Sequence, residues 1–421
     1  MTSDPEFSQA VILCGGLGTR LRPLTNSLPK PMVPVHSKPF LYHLLKQLSE
    51  QGISRFLLLT GFMSETISDY FGNGARYGWS ISYSQGPTDW DTGRRLWEAR
   101  EQYEPRFLLL YSDNFVQFNL IKLGQLHRKL GCPITLHLAP KNKGNIKASQ
   151  DGKILAYDKD RTGDGFDYVE VGYMAVERDR VFGDFPLFDG FPNISFAKVL
   201  QRYAMTQQIG GIVVRDPYHS ISDPKRLALM CEYLKPKRIL LLDRDGTINE
   251  KAEQGQYIAT WSQFRWIAKT REALEKLAED GFQFIVATNQ AGIARKMIDP
   301  DALEHIHLNM TSQLAQEGIS ILKVYVSPHH WDENSFMRKP APGLFFKAAE
   351  DFNLRMDRVL YVGDDQRDCI AASNAGCGMV HLDETMVQTT LNEFPNPYLS
   401  VSCLTSAVPW IRSKYNEWKI L

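Results

Sequence analysis

The sequence predicts an α/β protein made of two doubly wound domains, residues 1–236 and 237–421. Two patterns and the chain length carry that expectation. Short, nearly continuous apolar runs at 9–14, 56–60, 107–111, 239–242, 282–287 and 359–362 have the length of strands buried on both faces. Amphipathic helical stretches alternate with them, and that alternation builds a mostly parallel sheet with helices on both sides. A chain of 421 residues is also too long for one ordinary core.

With 48 basic and 48 acidic residues, the chain has no overall field favouring nucleic acid or an anionic membrane. Any anionic ligand must therefore be held by local basic clusters. The opening MTSDPEFSQ lacks a basic-then-apolar signal pattern, and no apolar run approaches the roughly 20 residues that span a bilayer. The expectation is a cytoplasmic protein with no nucleic-acid or membrane partner. Six cysteines at 14, 132, 231, 369, 377 and 403 form no CxxC pair, which favours reduced thiols over disulfides. A homo-oligomer is compatible with this composition.

The first strand, 9–14, runs straight into GGLGTRLRPLTNSLPKPMVPV. Gly15, Gly16 and Gly18 let backbone N–H groups approach a phosphate chain closely, and Arg20, Arg22 and Lys30 add positive charge beside them. Pro29 and Pro31 hold Lys30 on a stiff extended arm. No GK[ST] follows, so the loop is not a Walker A motif, and it is not a GxGxxG dinucleotide fingerprint. A helix with Leu41, Leu44, Leu45 and Leu48 on one face comes next, then strand 56–60, helix 64–71 and strand 80–83. Strand 107–111 delivers Asp113 beyond its end, where a carboxylate reads either as a Mg²⁺ ligand or as a turn or capping residue.

GGLGTRLRPLT followed by PKPM resembles the signature of the sugar-1-phosphate nucleotidylyltransferases. The resemblance implies a Rossmann-like sheet in which Arg20 and Lys30 assist the transfer and Asp113 holds Mg²⁺ against a triphosphate. It also implies that Gln85 reads the base, Lys159 meets the acceptor phosphate, and Glu170 and Gly172 line the sugar site. Two positions depart from the family pattern. Arg94 stands where a second glycine is usual, and Ser220 stands where the family has an aspartate as second metal ligand, with Asp223 three residues further on.

The second half begins with RILLLDRDGTIN. Alternate side chains of an extended backbone point the same way, so Asp243 and Asp245 are expected to face one crevice beyond the strand end. One carboxylate would attack phosphorus, and the other would exchange protons with leaving group and water. Thr288 and Asn289 follow strand 282–287, Arg338 and Lys339 lie in RKPAPG, and Asp364 follows strand 359–362. The aromatics Tyr257, Trp261, Phe264 and Trp266 read either as a lid or as a satellite cluster, and the amphipathic stretch 404–418 docks on this domain or on a partner.

DRDGTIN, TNQAGIAR, SPHH, RKPAPG and VGDDQRD together resemble the haloacid dehalogenase superfamily, most of all its histidinol-phosphate and heptose-bisphosphate phosphatase branch. The implied sheet is Rossmannoid. Asp243, Asp364 and the backbone carbonyl of Asp245 would hold Mg²⁺, with Asp365 or Asp368 in support, unless Asp368 is only a first-turn helix residue. Thr288 and Asn289 would donate to the phosphoryl group, Lys339 would offset its developing charge, and Arg338 would meet substrate. Members of this branch often carry zinc on one histidine and three cysteines. Here Ser327, Ser335 and Met337 stand at the cysteine positions, so no zinc is expected. The two resemblances together imply a heptose 1,7-bisphosphate 7-phosphatase joined to a heptose-1-phosphate nucleotidyltransferase that favours GTP, serving surface polysaccharide synthesis, with Mg²⁺ in both domains.

Overall fold

The computed structural model describes residues 6–158, 163–183, 193–383 and 397–419. The chain divides into two compact units, Met1–Leu234 and Lys235–Leu421.

The first unit is built on a nine-stranded mixed sheet. Its first strand, Gln9–Leu13, lies between Arg55–Thr60 and Arg106–Tyr111 and is parallel to both. Successive connections therefore leave this strand in opposite directions. That creates a crevice at its carboxyl end, where open α/β sheets bind ligands. The expected strand 80–83 runs Ser80–Gln85, and helix Ser64–Phe71 forms as the pattern predicts. Strand Tyr168–Glu177 runs antiparallel to Arg106–Tyr111, and its register against Ile134–Pro140 shifts between Glu170 and Met174. Continuous burial is explained by two cores, one on each face. Ala10 and Ile12 enter one, while Val11 and Leu13 enter the other.

The second unit repeats this logic with six strands, all parallel. Ile239–Leu242 sits between Gln283–Asn289 and Leu360–Gly363, so its carboxyl end is again a switch point. Leu240 and Leu242 pack on one face, Ile239 and Leu241 on the other. Strand Gln283–Asn289 is longer than expected and includes Thr288 and Asn289, which pair with Val326 and Ser327.

Both open alternatives resolve toward packing. Helix Leu404–Lys419 docks on this unit, where the Tyr415 hydroxyl donates to the Ile239 carbonyl and accepts from the Leu360 N–H (3.2 Å). Phe264 stacks on Trp261 at 4.7 Å and meets Trp266 edge-on at 4.9 Å, forming a satellite cluster on the core. All six cysteines are free. Among the described residues, no helix is long and apolar enough to cross a membrane.

Candidate active sites

In the second unit, Asp243 leaves the strand end with its N–H still bonded to the Val362 carbonyl (2.8 Å). The chain then turns sharply through Gly246. Its φ of +85° suits glycine, and a Cβ there would collide with the Asp364 carboxylate. This turn brings the motif against the end of the Leu360–Gly363 strand. Carboxylate oxygens of Asp243, Asp364 and Asp368 come within 4.8 Å of one another.

Lys339 is buried among them. Its Nζ lies 2.8 Å from Asp243 Oδ1, 2.8 Å from Asp368 Oδ1 and 2.6 Å from the Tyr361 hydroxyl. Burial opposes its charge, but Asp243 and Asp368 outweigh that and raise its pKa above the ordinary lysine value. Burial pushes Asp243 up to about 7 against the pull of Lys339, with Asp368 and Asp245 adding repulsion. Asp364 is likewise raised by burial; one of its oxygens pairs with Lys251 Nζ at 2.5 Å, and the other is buried with no partner. A crowded set of carboxylates with one orphaned oxygen fits a hard divalent cation such as Mg²⁺.

Asp368 joins the acidic cluster and also lies in the first turn of helix Gln366–Ala375. The extended strand stops at Leu242, so strand alternation does not by itself orient Asp245. Its carboxylate is gripped by the Arg244 fork (2.8–3.1 Å), the Asn249 amide (2.9 Å) and the Gln290 amide (2.7 Å). Burial would raise its pKa, but these donors hold it below the usual carboxylate value. Gln290 also donates to Thr288 Oγ1 (2.9 Å), which places Asp245 beside the threonine.

Arg244 is fully buried and donates to His307 Nε2 (3.0 Å). His307 therefore presents a lone pair there and is neutral, as its pKa of about 3, depressed by burial and by Arg244, requires.

Asn289 is expected to contact the phosphoryl group, yet its side chain is engaged by backbone. Nδ2 donates to the Lys339 carbonyl (3.0 Å), and Oδ1 accepts from the Lys339 N–H (3.1 Å). These bonds align the lysine. Arg338 donates to the His329 carbonyl (3.1 Å). His329 bonds Glu333 (2.8 Å), whose other oxygen accepts from the His330 N–H (2.7 Å). Hydrogen bonds thus tie together the loop where Ser327, Ser335 and Met337 replace cysteines.

In the first unit, a cavity of about 480 Å³ opens at the carboxyl end of Gln9–Leu13. Gly15, Gly16, Gly18, Arg20, Lys30 and Asp113 all line it. Lys30 Nζ lies 2.5 Å from Asp113 Oδ2. Glu170 stands close enough to Asp113 to feel its charge. Burial pushes its pKa up to about 7, and one of its oxygens has no partner while the other accepts from Tyr157 (3.3 Å). Gly172 lies in the register shift beside it. Gln85 ends its strand opposite Thr60, exposed, and is not among the residues lining the cavity. Lys159 lies outside the described residues.

Arg94 turns away, pairing with Glu98 beside Trp90. Its neighbour Arg95 reaches the glycine loop instead. Ser220 pairs with Asn114, one residue from Asp113, and accepts from Arg226 (3.0 Å). Asp223 is occupied by the Arg226 N–H (3.0 Å) and the Ser222 hydroxyl (3.2 Å). Asp91 and Asp113 are thus the acidic residues that line this cavity, with Glu170 close to Asp113, and such carboxylates fit a hard divalent cation such as Mg²⁺.

Residues 9–154 match the nucleotidyl transferase family, and residues 238–394 match the family described as polynucleotide kinase 3 phosphatase. The chain is 36% identical over 155 residues to the D-glycero-alpha-D-manno-heptose 1-phosphate guanylyltransferase of Aneurinibacillus thermoaerophilus, a match that covers 35% of this chain and 66% of that protein. It is 31% identical over 140 residues to the D-glycero-beta-D-manno-heptose-1,7-bisphosphate 7-phosphatase of Bordetella bronchiseptica, covering 33% of this chain and 77% of the relative. A solved structure of the D,D-heptose 1.7-bisphosphate phosphatase from B. bronchiseptica, complexed with magnesium and phosphate, is similar at 26% identity over 42% of this chain and 99% of that one, with a TM-score of 0.39.

Proposed function

We infer what this protein does from the families it belongs to: it is a heptose-1,7-bisphosphate 7-phosphatase family member through its second unit and carries a nucleotidyl transferase region in its first. It is a bifunctional enzyme of nucleotide-sugar synthesis. It removes the 7-phosphate of D-glycero-D-manno-heptose 1,7-bisphosphate and transfers a nucleotidyl group, GMP from GTP, to the heptose 1-phosphate. The observation that carries this reading is the gathering of Asp243, Lys339 and Asp364 at one sheet's switch point, with Gly15, Lys30 and Asp113 at the other's.

In the phosphatase, ionised Asp243 attacks the 7-phosphorus and the bond from that phosphorus to the C7 oxygen breaks, leaving an aspartyl-phosphate. Asp245, ionised at rest, takes up a proton as substrate binds, passes it to the sugar oxygen and then takes one from the attacking water, so phosphate leaves and Asp243 is restored. Thr288 donates to the phosphoryl oxygens, and Lys339, aligned by Asn289, offsets their developing charge. Asp243, Asp364 and the backbone carbonyl of Asp245, with Asp368 in support, would hold Mg²⁺, which would supply positive charge to the site and favour the ionised form of Asp243.

In the transferase, an oxygen of the anomeric phosphate attacks the α-phosphorus of GTP, and the bond to the β-phosphate oxygen breaks to release pyrophosphate. Glycine-loop N–H groups, Arg20 and Lys30 stabilise that leaving group, and Asp113 would hold Mg²⁺ that arrives with the triphosphate. Gln85 meets the base, and Glu170 accepts from sugar hydroxyls. Lys159 meets the sugar phosphate.

Heptose 1,7-bisphosphate, GTP and Mg²⁺ incubated with the enzyme and followed by phosphorus NMR test the whole scheme. The expected order is loss of the 7-phosphate signal, then growth of GDP-sugar and pyrophosphate; a strong preference for CTP or UTP would defeat the guanine assignment. A second reading, a phosphatase with a nucleotide-binding but non-transferring first unit, draws on Ser220 being held by Arg226. It predicts GTP binding without pyrophosphate release.

A further inference from the structure

The transferase reading leaves one buried charge without a role. Arg95, on helix Thr92–Ala99, is only 5% exposed. Its guanidinium donates to the carbonyls of Thr60 (2.7 Å), Gly86 (3.3 Å), Pro87 (2.5 Å) and Gly15 (3.5 Å). These carbonyls belong to three segments, each at the carboxyl end of one of three adjacent strands, Gln9–Leu13, Arg55–Thr60 and Ser80–Gln85. Among the described residues, no carboxylate forms an ion pair with it; Asp89 and Asp91 act only through their distant charge.

A buried cation partnered by carbonyls alone is a poor device for stability, because an apolar side chain of similar volume would avoid the desolvation cost. Its location suggests why it is kept. A Cβ on Gly15 would stand 2.5 Å from the guanidinium carbon, and Arg95 itself lines the cavity beside the glycine loop. The charge therefore lies directly behind the N–H groups that face the ligand. A planar fork can grip several carbonyls at once, which a lysine ammonium at the end of a flexible stem does less well.

We propose that Arg95 is a positioning residue for the nucleoside triphosphate, tying the glycine loop to the segments after the two neighbouring strands and lending the phosphates a buried positive charge. This rests on the nucleotidyl-transfer reading of the cavity. It binds the loop in the geometry that presents the Gly15 and Gly16 backbone to an anion, and it gives the otherwise uncompensated guanidinium a counter-charge when the triphosphate is bound.

The test uses the full-length enzyme with Arg95→Lys and Arg95→Gln. GTP affinity is measured by calorimetry, and KM is measured separately for GTP and sugar 1-phosphate from pyrophosphate release. Circular dichroism checks that the chain is folded, and phosphate release from the bisphosphate reports on the second unit. Arg95→Lys is expected to weaken GTP about tenfold and Arg95→Gln about a hundredfold, with the sugar-phosphate KM within about twofold and phosphate release unchanged.

If Arg95→Gln does not fold, Gly15→Ala is compared alone and in the Arg95→Ser background. The alanine methyl collides with the guanidinium only when Arg95 is present, so the two losses of GTP affinity should combine to less than their product. Unchanged GTP affinity in both Arg95 variants, or losses that multiply fully in the double variant, overturns the positioning role. A wild-type enzyme that binds none of the four triphosphates defeats the transferase reading and this inference with it.

Discussion

The two pockets handle the same element, phosphorus, with opposite construction. In the second unit the charged groups are buried and cross-braced: Lys339 touches Asp243, Asp368 and Tyr361, and Asp245 is gripped from three sides. In the first, glycine backbone and the cations Arg20, Lys30 and Arg95 surround an open cavity, with Lys30 resting on Asp113. In the proposed mechanisms, the difference follows from who supplies the nucleophile. A phosphatase that attacks with its own carboxylate must hold that carboxylate in line and keep its charge balanced. A nucleotidyl transferase brings two substrates together, one of which carries the attacking oxygen, so the protein needs only to cradle and neutralise.

The contrast is broken most severely by Asp243→Asn. Phosphate release should fall by about four orders of magnitude or more, because no other group replaces the nucleophile. Transfer from preformed heptose 1-phosphate should continue at the wild-type rate, and loss of both activities would mean that the two pockets are not independent. Asp113→Asn should be milder. If Asp113 holds Mg²⁺ as proposed, a drop of roughly 10²- to 10³-fold in pyrophosphate release is expected, with phosphate release untouched, since substrate phosphates would keep most of the cation's ligands.

Glu170 sharpens the comparison through pH. With its pKa raised to about 7 by burial, it is protonated below that pH and ionised above it. If the ionised form accepts from sugar hydroxyls, KM for the sugar phosphate should fall about tenfold between pH 6 and pH 8. Glu170→Gln should flatten the profile, whereas an identical profile in both enzymes would remove Glu170 from the sugar site. The smallest effect is expected from Tyr415→Phe. Losing its two hydrogen bonds should cost the second unit about 1–3 kcal/mol in urea unfolding, with little change in nucleotidyl transfer.

Much of this was legible in the chain itself. Uninterrupted apolar runs announced strands covered on both faces, and the alternating allocation of Ile239 to Leu242 between two cores is what such runs require. Motif order placed Asp243, Lys339 and Asp364 in one pocket. What stayed hidden depended on turns and on partners distant in sequence. The strand ends at Leu242, before either aspartate, so alternation alone does not reveal the donors that hold Asp245.

Arg95 was overlooked in favour of Arg94. A signal was present: Arg95, Leu96 and Ala99 share the buried side of one short helix, so the arginine falls on its apolar face. No comparable cue marked His307, which meets Arg244 from 63 residues away. Nothing local reveals that the Lys339 backbone, 50 residues away, engages the Asn289 amide.

Tyr415 bonds to the backbone of the strand that carries Asp243, although it is 176 residues from Ile239. A ribosome therefore finishes the segments of the first unit well before it makes the residue that caps the second sheet. We expect a nascent chain to bind nucleotide before it can hydrolyse a bisphosphate, so the two catalysts mature in the reverse of the reaction order proposed here.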